Sequence, residues 1–408
     1  MTRRRAPHRM RLAAALLLLW GLLAGPVTSG CKRLSEAARG TEASEPSIPE
    51  VLVPSAGPDF DRALFQTLGV TMRPGHRVDW RFNGEALDAV VAEVGKAKQS
   101  VSILMYVWEA GVASDRIVSA ISARTKDGVS CRIVVDDVGS RGFADKVGKT
   151  LVAAGCEVRT FRPLPAGKLL ERNHRKLIVV DGAVALTGGF GIRDEWTGDG
   201  IHDDKWRDTS ARVAGPSVVD AQQIFADNWL ETGGAFLPRD LFPISPPRGE
   251  ASVAFVSSTA SPNVTRAERL IRLLLGAGKK RIWIANAYFV PSRAILAQLE
   301  RKAGAGVDVR ILVAGKKSDS KTSFGVQQGI YGDLVKRGAR IFEYEPSMMH
   351  AKTMIIDDRL SLVGSINLDP LGLHTLEEIG AVVDDGPTAT ALAARFEEDC
   401  GHAKAVGK

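Results

Sequence analysis

The sequence of 408 residues is poor in cysteine, in net charge beyond its first 40 residues and in long apolar segments. Its four cysteines form no CxxC pair and no cluster with histidine, which argues against a disulfide framework and a zinc site. Cys131 and Cys156 each begin an apolar, strand-like run, and we expect both to be buried thiols. With 45% apolar and 25% charged residues, the composition is that of a globular protein and excludes a multi-span membrane protein.

The positive charge of the chain is confined to its beginning. Residues 1–40 contain eight basic residues and one acidic residue, whereas the remainder contains 46 of each sign. A body with this balance lacks the broad basic surface that draws nucleic acid, so we expect no nucleic-acid partner.

The first 30 residues have the order of an export signal. A basic segment, residues 3–11, precedes an apolar segment, residues 12–27, which ends in small residues followed by Cys31. This ending resembles a bacterial lipoprotein cleavage site, at which Cys31 would be lipidated. An uncleaved membrane anchor and cleavage without lipid are the alternatives, and each places the body in the cell envelope, outside the cytoplasmic membrane.

Four further regions follow this signal, which we assign to residues 1–30. Residues 31–78, rich in Ser, Glu, Pro and Ala, are expected to form a flexible tether. Residues 79–232 and 251–408 each alternate helical and strand-like segments; residues 266–277, for example, predict a helix and residues 340–344 a strand. This alternation indicates an α/β fold, with a mixed, mostly parallel sheet flanked by helices in each lobe. A stretch at 233–250 rich in Gly and Pro is expected to link them.

The two lobes share one motif. A histidine is followed by a lysine two positions later and by an aspartate five positions after the lysine. A hairpin turn and a Gly-rich corner come next. The motif residues are His174, Lys176, Asp181 and Gly188-Gly189 in the first copy, and His350, Lys352, Asp357 and Gly364-Ser365 in the second. Two copies in the same order indicate an internal duplication that gives two tandem lobes.

Two histidines and two lysines that face one cleft suit the chemistry of a phosphodiester. Alternate residues of a strand point to the same face, so each copy places an imidazole beside an ammonium group. The lysines can neutralise the non-bridging oxygens, while one histidine attacks phosphorus and the other protonates the leaving oxygen. Because the lysines supply the neutralising charge, we expect neither a metal nor another cofactor.

The doubled motif resembles the phospholipase D superfamily, and stretches such as Asp136–Ser140 and Trp206–Thr209 resemble its bacterial cardiolipin synthase branch. The resemblance implies two phospholipase D-like lobes with one shared active-site cleft. It also implies phospholipid substrates at a membrane surface and a monomer that is sufficient for one active site.

The resemblance assigns roles to the residues of the motif. His174 matches the nucleophile that forms a phosphatidyl-histidine intermediate, and His350 matches the general acid that later activates the acceptor. Lys176 and Lys352 belong to the same catalytic set. The motif aspartates are expected mainly to hold the hairpin turns.

Further matches concern the phosphate and the orientation of the histidines. Gly189, Ser365 and Asn367 are expected at the phosphate, and Glu195 and Glu378 are expected to orient the histidines. The first copy departs from the pattern, because Gly191 stands where a second Asn would be expected. One donor of the phosphate pocket is therefore absent or replaced by backbone.

Three classes of function remain open at this point. Transfer of a phosphatidyl group, with two phosphatidylglycerol molecules giving cardiolipin and glycerol, is favoured by the cardiolipin-synthase-like stretches. Hydrolysis of a phospholipid is the alternative, and a secreted nuclease is disfavoured by the neutral body. A non-catalytic lipid-binding protein is disfavoured because both copies keep their histidine and lysine.

Overall fold

The structure, a computed structural model, describes residues 53–164, 170–202 and 204–407, which belong to one compact unit. The predicted export signal and Cys31 lie outside these residues. The strands are β1 Arg73–Phe82, β2 Ser100–Met105, β3 Ser130–Asp136, β4 Glu157–Phe161, β5 Leu177–Val180, β6 Val184–Gly188, β7 Thr209–Ala214, β8 Ala251–Ser258, β9 Arg281–Asn286, β10 Asp308–Ala314, β11 Arg340–Tyr344, β12 Lys352–Ile356, β13 Leu360–Gly364, β14 Glu378–Asp384 and β15 Ala403–Ala405.

Helices occupy most of the connections between these strands. The α-helices are α1 Gly57–Leu68, α2 Glu85–Gly95, α3 Val112–Lys126, α4 Lys149–Ala153, α5 Val218–Glu231, α6 Arg266–Ala277, α7 Arg293–Gly304, α8 Lys321–Gln328, α9 Tyr331–Lys336, α10 Pro370–His374 and α11 Gly386–Gly401. None of these described helices is both long enough and apolar enough to cross a bilayer.

The order of the strands confirms the duplication. From the middle of the sheet outward, the first half runs β1-β7-β6-β5-β2-β3-β4 and the second runs β8-β14-β13-β12-β9-β10-β11, with β15 at the outer edge. The two halves meet where β1 pairs with β8, so the described strands form one continuous sheet. The two copies of the motif therefore lie in equivalent places, directly before and along β5 and β12.

The sheet is mixed, as expected, but antiparallel pairs outnumber parallel ones. Within each half only the pairs β2–β3 and β3–β4, or β9–β10 and β10–β11, are parallel. The hairpins that begin at Asp181 and Asp357 reverse the chain, so β5, β6 and β7 and their counterparts β12, β13 and β14 pair antiparallel. The prediction of a mostly parallel sheet is wrong for this reason.

The hydrophobic core joins the two halves. One central cluster combines strand residues of the first half, such as Trp80 and Leu177, with residues of the second half, such as Trp283 and Ile355. Helices α5 and α11 contribute Phe225 and other apolar side chains to the same cluster. Two outer clusters, one in each half, lie beneath the remaining helices.

The flexible tether predicted for residues 31–78 does not extend over its second part. Helix α1 buries Phe60, Leu64 and Leu68, which are spaced four residues apart and so lie on one helix face. These side chains pack in the outer cluster of the second half together with residues of α6. The low-complexity composition concealed this apolar spacing, and β1 then begins within the same predicted tether.

The prediction that Cys131 and Cys156 are thiols is also wrong. The two residues form a disulfide, with a Cα–Cα distance of 4.6 Å. Cys131 lies in β3, and Cys156 directly precedes the parallel neighbour β4. Because Arg132 pairs with Glu157, the two cysteines stand opposite each other across the ladder. Among the described cysteines, Cys400 is a free thiol.

Candidate active site

The two histidines lie at the start of equivalent strands, and both side chains are buried. The backbone N–H of His174 donates to the carbonyl oxygen of Glu377 at 2.9 Å, and that of His350 donates to the carbonyl oxygen of Arg207 at 2.7 Å. Each histidine segment is thus bonded to the other half of the chain. These two bonds bring both copies of the motif into one site.

Each imidazole also contacts a carboxylate of the other half. The Nδ1 atom of His174 lies 2.9 Å from Oε1 of Glu378, and Nδ1 of His350 lies 3.3 Å from Oδ2 of Asp208. Both carboxylates are buried. Nδ1 of His350 also lies 3.0 Å from Nζ of Lys352. Because these contacts occupy Nδ1, Nε2 of each ring remains for the reacting atoms.

The prediction that Glu195 orients a histidine is wrong. Its carboxylate lies 2.9 Å from Nε of Arg193, and its side chain is 43% exposed. Glu195 belongs to the short 3₁₀ helix Asp194–Trp196, which directs it to the surface. Glu378, the other predicted acid, does contact His174 as described above.

Asp208 takes the place that sequence reasoning gave to Glu195. Asp208 directly precedes β7, and Glu378 is the first residue of β14. The preceding strands end at Gly188 in β6 and Gly364 in β13, which pair with Ser210 and Gly380. Asp208 and Glu378 each lie two residues before that partner. The signal in the sequence was the Trp206–Thr209 stretch, whose aspartate aligns with Glu378 once the strands are paired.

Buried ion pairs fix the residues that precede the two acids. The guanidinium of Arg207 lies 2.6 Å from the carboxylate of Asp399 in α11. The carboxylate of Glu377 lies 3.1 Å from Arg175 and accepts a hydrogen bond from the side chain of Asn228 at 2.6 Å. Such pairs make the positions of Asp208 and Glu378 depend on contacts between the halves.

The two lysines lie beside the histidines of their own copies. The ammonium of Lys176 donates to the carbonyl oxygen of His174 at 2.7 Å, and that of Lys352 donates to the carbonyl oxygen of His350 at 2.6 Å. Burial lowers the pKa of Lys352 to about 8 and lowers the pKa of Lys176 well below its usual range. A phosphodiester anion would favour the charged ammonium groups, so lysine charge and substrate binding support each other.

Without substrate, both histidines are held neutral, which is the form that a nucleophile or base requires. Burial, and secondarily the lysine ammonium groups, lower the pKa of His174 and of His350 well below the usual value. The neutral ring of His174, which donates Nδ1–H to Glu378, presents its lone pair at Nε2. Burial raises the pKa of Glu378 to about 8 and that of Asp208 to about 6.

His350 lies beside two tryptophans, whereas His174 has the ring of Tyr106 at a centroid distance of 4.8 Å. The rings of Trp196 and Trp206 each have their centroids 5.2 Å from that of His350. The indole N–H of Trp196 donates to Oδ2 of Asp208 at 2.7 Å and so fixes the acid as well. This apolar wall on one side of the site is a difference between the two copies.

Gly189 and Ser365, both expected at the phosphate, support the acids. The hydroxyl of Ser365 donates to Oε2 of Glu378 and accepts a hydrogen bond from the backbone N–H of Ile379. A Cβ atom at Gly189 would lie 2.5 Å from Oδ1 of Asp208, so only glycine leaves room for that carboxylate. The two corners therefore hold the acids in different ways.

Trp196 also accounts for the departure at Gly191. A Cβ atom at Gly191 would lie 3.1 Å from the ring of Trp196 and 3.2 Å from the side chain of Val107. The indole fills the space that an asparagine side chain would need. In the second copy Asn367 is buried, and its Oδ1 atom has no hydrogen-bond partner among the described residues, so this oxygen can accept a hydrogen bond from a ligand.

The motif aspartates lie at the opposite ends of β5 and β12 from the histidines. The carboxylate of Asp181 accepts hydrogen bonds from the backbone N–H groups of residues 98–100, and Asp357 accepts them from residues 279–281. Both residues have positive φ, 53° and 50°. These contacts agree with the expected role, in which the aspartates hold the hairpin turns.

A duplicated α/β fold with two histidines and two lysines in one site defines the phospholipase D-like class. A family model described as "Cardiolipin synthase, PLD-like domain" matches residues 90–204 and 270–400, which include both copies of the motif. The chain belongs to this phospholipase D-like family of cardiolipin synthases.

Relatives agree with this assignment, and a solved structure matches the fold. Cardiolipin synthase 1 of Bacillus cereus is 32% identical over 340 residues, which are 79% of this chain and 66% of the relative. Cardiolipin synthase of Geobacillus kaustophilus is 31% identical over 334 residues, with the same two coverages. The chain thus spans slightly less than two thirds of these relatives. The crystal structure of phosphatidylserine synthase from Haemophilus influenzae matches the fold with a TM-score of 0.66 at 15% identity, over 85% of this chain and 91% of that chain.

We predict that Asp208→Asn lowers the turnover of a phosphodiester substrate at least about 100-fold, because His350 loses the carboxylate that orients its ring. The matched control is Glu195→Gln, which changes the exposed acid and should leave the rate within about twofold. Steady-state kinetics on both purified variants, with circular dichroism to verify folding, makes the comparison. Equal losses in the two variants would contradict the placement of Asp208.

Proposed function

We propose that this protein is a phosphatidyltransferase that forms cardiolipin and glycerol from two molecules of phosphatidylglycerol. The observation that carries the proposal is the pair of histidines in one site, each held by a buried carboxylate of the other half. Membership of the cardiolipin synthase family supports the choice of phospholipid as substrate.

In the first step, Nε2 of His174 attacks the phosphorus of phosphatidylglycerol. The negative charge of the bound phosphodiester favours a protonated His350. A nitrogen–phosphorus bond then forms, the bond to the glycerol oxygen breaks, and His350 donates the proton that glycerol takes with it. Lys176 and Lys352 neutralise the non-bridging oxygens as charge develops on them. Because glycerol is protonated as it leaves, His350 ends this step as the neutral base.

In the second step, His350 accepts the proton from the free hydroxyl of a second phosphatidylglycerol. The hydroxyl oxygen attacks phosphorus, the bond to His174 breaks, and the proton balance of the site is restored. The wall of Trp196 and Trp206 beside His350 supports an alcohol as acceptor, since apolar rings disfavour a water molecule at that position. Both histidines come from one chain, so we propose that a monomer is sufficient for one site.

We predict that the purified protein converts labelled phosphatidylglycerol into cardiolipin and glycerol, and that His174→Ala abolishes both products. Chromatography of the lipids after incubation with and without a second lipid measures the outcome. The N–P bond of a phosphohistidine is stable in base, so protein denatured at alkaline pH during turnover should carry a phosphatidyl group on His174 by mass spectrometry. Phosphatidic acid as the sole product would instead establish hydrolysis, and an adduct on His350 would exchange the two roles.

We further propose that the body lies on the outer side of the cytoplasmic membrane, anchored by a lipid on Cys31. The predicted export signal supports this location, and so does the disulfide between Cys131 and Cys156, because disulfides persist in oxidising compartments.

We predict that protein isolated from the cell envelope under alkylating conditions has Cys131 and Cys156 linked and Cys400 alkylated. Its mature N-terminus should be a diacylated Cys31, because the leader is cleaved before that residue. Intact-mass and peptide mass spectrometry without reductant measures both features. Full alkylation of Cys131 and Cys156 would contradict the oxidising location, and an intact leader would contradict the lipid anchor.

A further inference from the structure

A basic loop follows β10 on the side of the cleft that contains His350. Residues 315–321 carry three lysines, Lys316, Lys317 and Lys321, and one acid, Asp319. All three lysines are exposed, and the net charge of these seven residues is +2. We call residues 315–321 the basic loop. It stands out because the body as a whole contains equal numbers of basic and acidic residues.

The single acid of this loop is engaged with the site. The hydroxyl of Tyr288 donates to Oδ1 of Asp319 at 2.7 Å, and the ring of Tyr288 lies 6.1 Å from that of His350. Lys317 donates to the carbonyl oxygen of Pro346, shortly before His350, at 2.7 Å, and lies 3.8 Å from the exposed Asp204. These bonds fix the basic loop at the edge of the cleft.

The fold does not require this charge. The seven residues after β3, the strand equivalent to β10, carry one acid and one base, Asp137 and Arg141, and their net charge is zero. The connection after this strand therefore has a net charge of zero in the first half and +2 in the second. Because this positive charge is found only in the half that supplies His350, we infer that it binds an anionic ligand on that side.

An apolar rim lies on the other side of the cleft. Its members are large apolar side chains that are exposed: Leu164, Leu170, Leu230 and Phe236, the last 89% exposed. Arg162 connects Leu170 and Leu230, because its guanidinium bonds to Glu171, next to Leu170, and to Glu231, next to Leu230. Phe236 follows Ala235, whose carbonyl oxygen accepts a hydrogen bond from the indole of Trp229, next to Leu230. The same guanidinium lies 3.2 Å from Glu377, whose carbonyl oxygen receives the N–H of His174.

We propose that the basic loop and the apolar rim together form a docking face for an anionic lipid bilayer, which presents the cleft to the membrane surface. Lysines attract the headgroups of an anionic leaflet, and exposed leucine and phenylalanine side chains enter the boundary between headgroups and acyl chains. This proposal rests on the proposed function, because a transferase acting on phosphatidylglycerol must receive lipids from an anionic surface.

The test uses the full chain with His174→Ala, reconstituted into vesicles of phosphatidylcholine alone or of equal parts phosphatidylcholine and phosphatidylglycerol. An acetylating reagent labels exposed lysines, and mass spectrometry gives the extent at each position. We expect the anionic vesicles to lower the labelling of the basic loop about fivefold or more. Lys279 and Lys280, exposed at the opposite end of β9, serve as internal controls and should change less than about twofold.

Because the inactive variant binds without turnover, this result is independent of the proposed reaction. Equal labelling of the basic loop in the two kinds of vesicle would overturn the docking face. Equal protection by a soluble oligonucleotide would overturn it as well, since it would establish a general polyanion site.

Kinetics on the active chain separate docking from substrate binding. Lys316→Gln/Lys317→Gln/Lys321→Gln should lower the rate on anionic vesicles about 10- to 100-fold at low salt, with little loss at high salt. On dispersed short-chain phosphatidylglycerol its kcat and KM should match those of Lys279→Gln/Lys280→Gln. A raised KM on the dispersed lipid would place the lysines in the substrate site and overturn the proposal.

Discussion

The exchange of carboxylates between the two halves is the contact on which the site depends. Glu378 of the second half holds His174, and Asp208 of the first half holds His350. The backbone repeats this exchange, because each histidine N–H donates to the residue just before the acid. Neither half contains both a catalytic histidine and the acid that orients it. The packing of the two halves is therefore required for the chemistry as well as for stability.

The exchange is symmetric in topology and asymmetric in its surroundings. Ser365 supports Glu378 through its hydroxyl, whereas Asp208 receives the indole N–H of Trp196 against the glycine corner at Gly189. Trp196 thereby occupies the space that an asparagine at position 191 would need, and its ring covers one side of His350. The duplication supplies two similar histidines, and these substitutions give them different environments, as a nucleophile and an acid–base catalyst require.

Much of this arrangement follows from the sequence, because periodicity and duplication are local signals. The helix over 266–277 and the strand over 340–344 have the predicted bounds, and both histidines and lysines enter one site. Asp208 escaped prediction because its equivalence to Glu378 appears only when strands are paired, and Glu195 was nearer to the motif along the chain. The disulfide escaped because 25 residues separate Cys131 and Cys156, and the register of β3 and β4 brings them together.

The central claim is that each histidine is oriented by an acid of the other half. Nitrogen NMR of ¹⁵N-histidine-labelled protein tests it directly, because the Nδ1 resonance reports the partner of that atom. We predict that Glu378→Gln shifts the resonances of His174 and spares those of His350, whereas Asp208→Asn does the reverse. An equally strong shift of either histidine by Glu195→Gln would contradict this orientation, and so would an effect of each acid on the histidine of its own half.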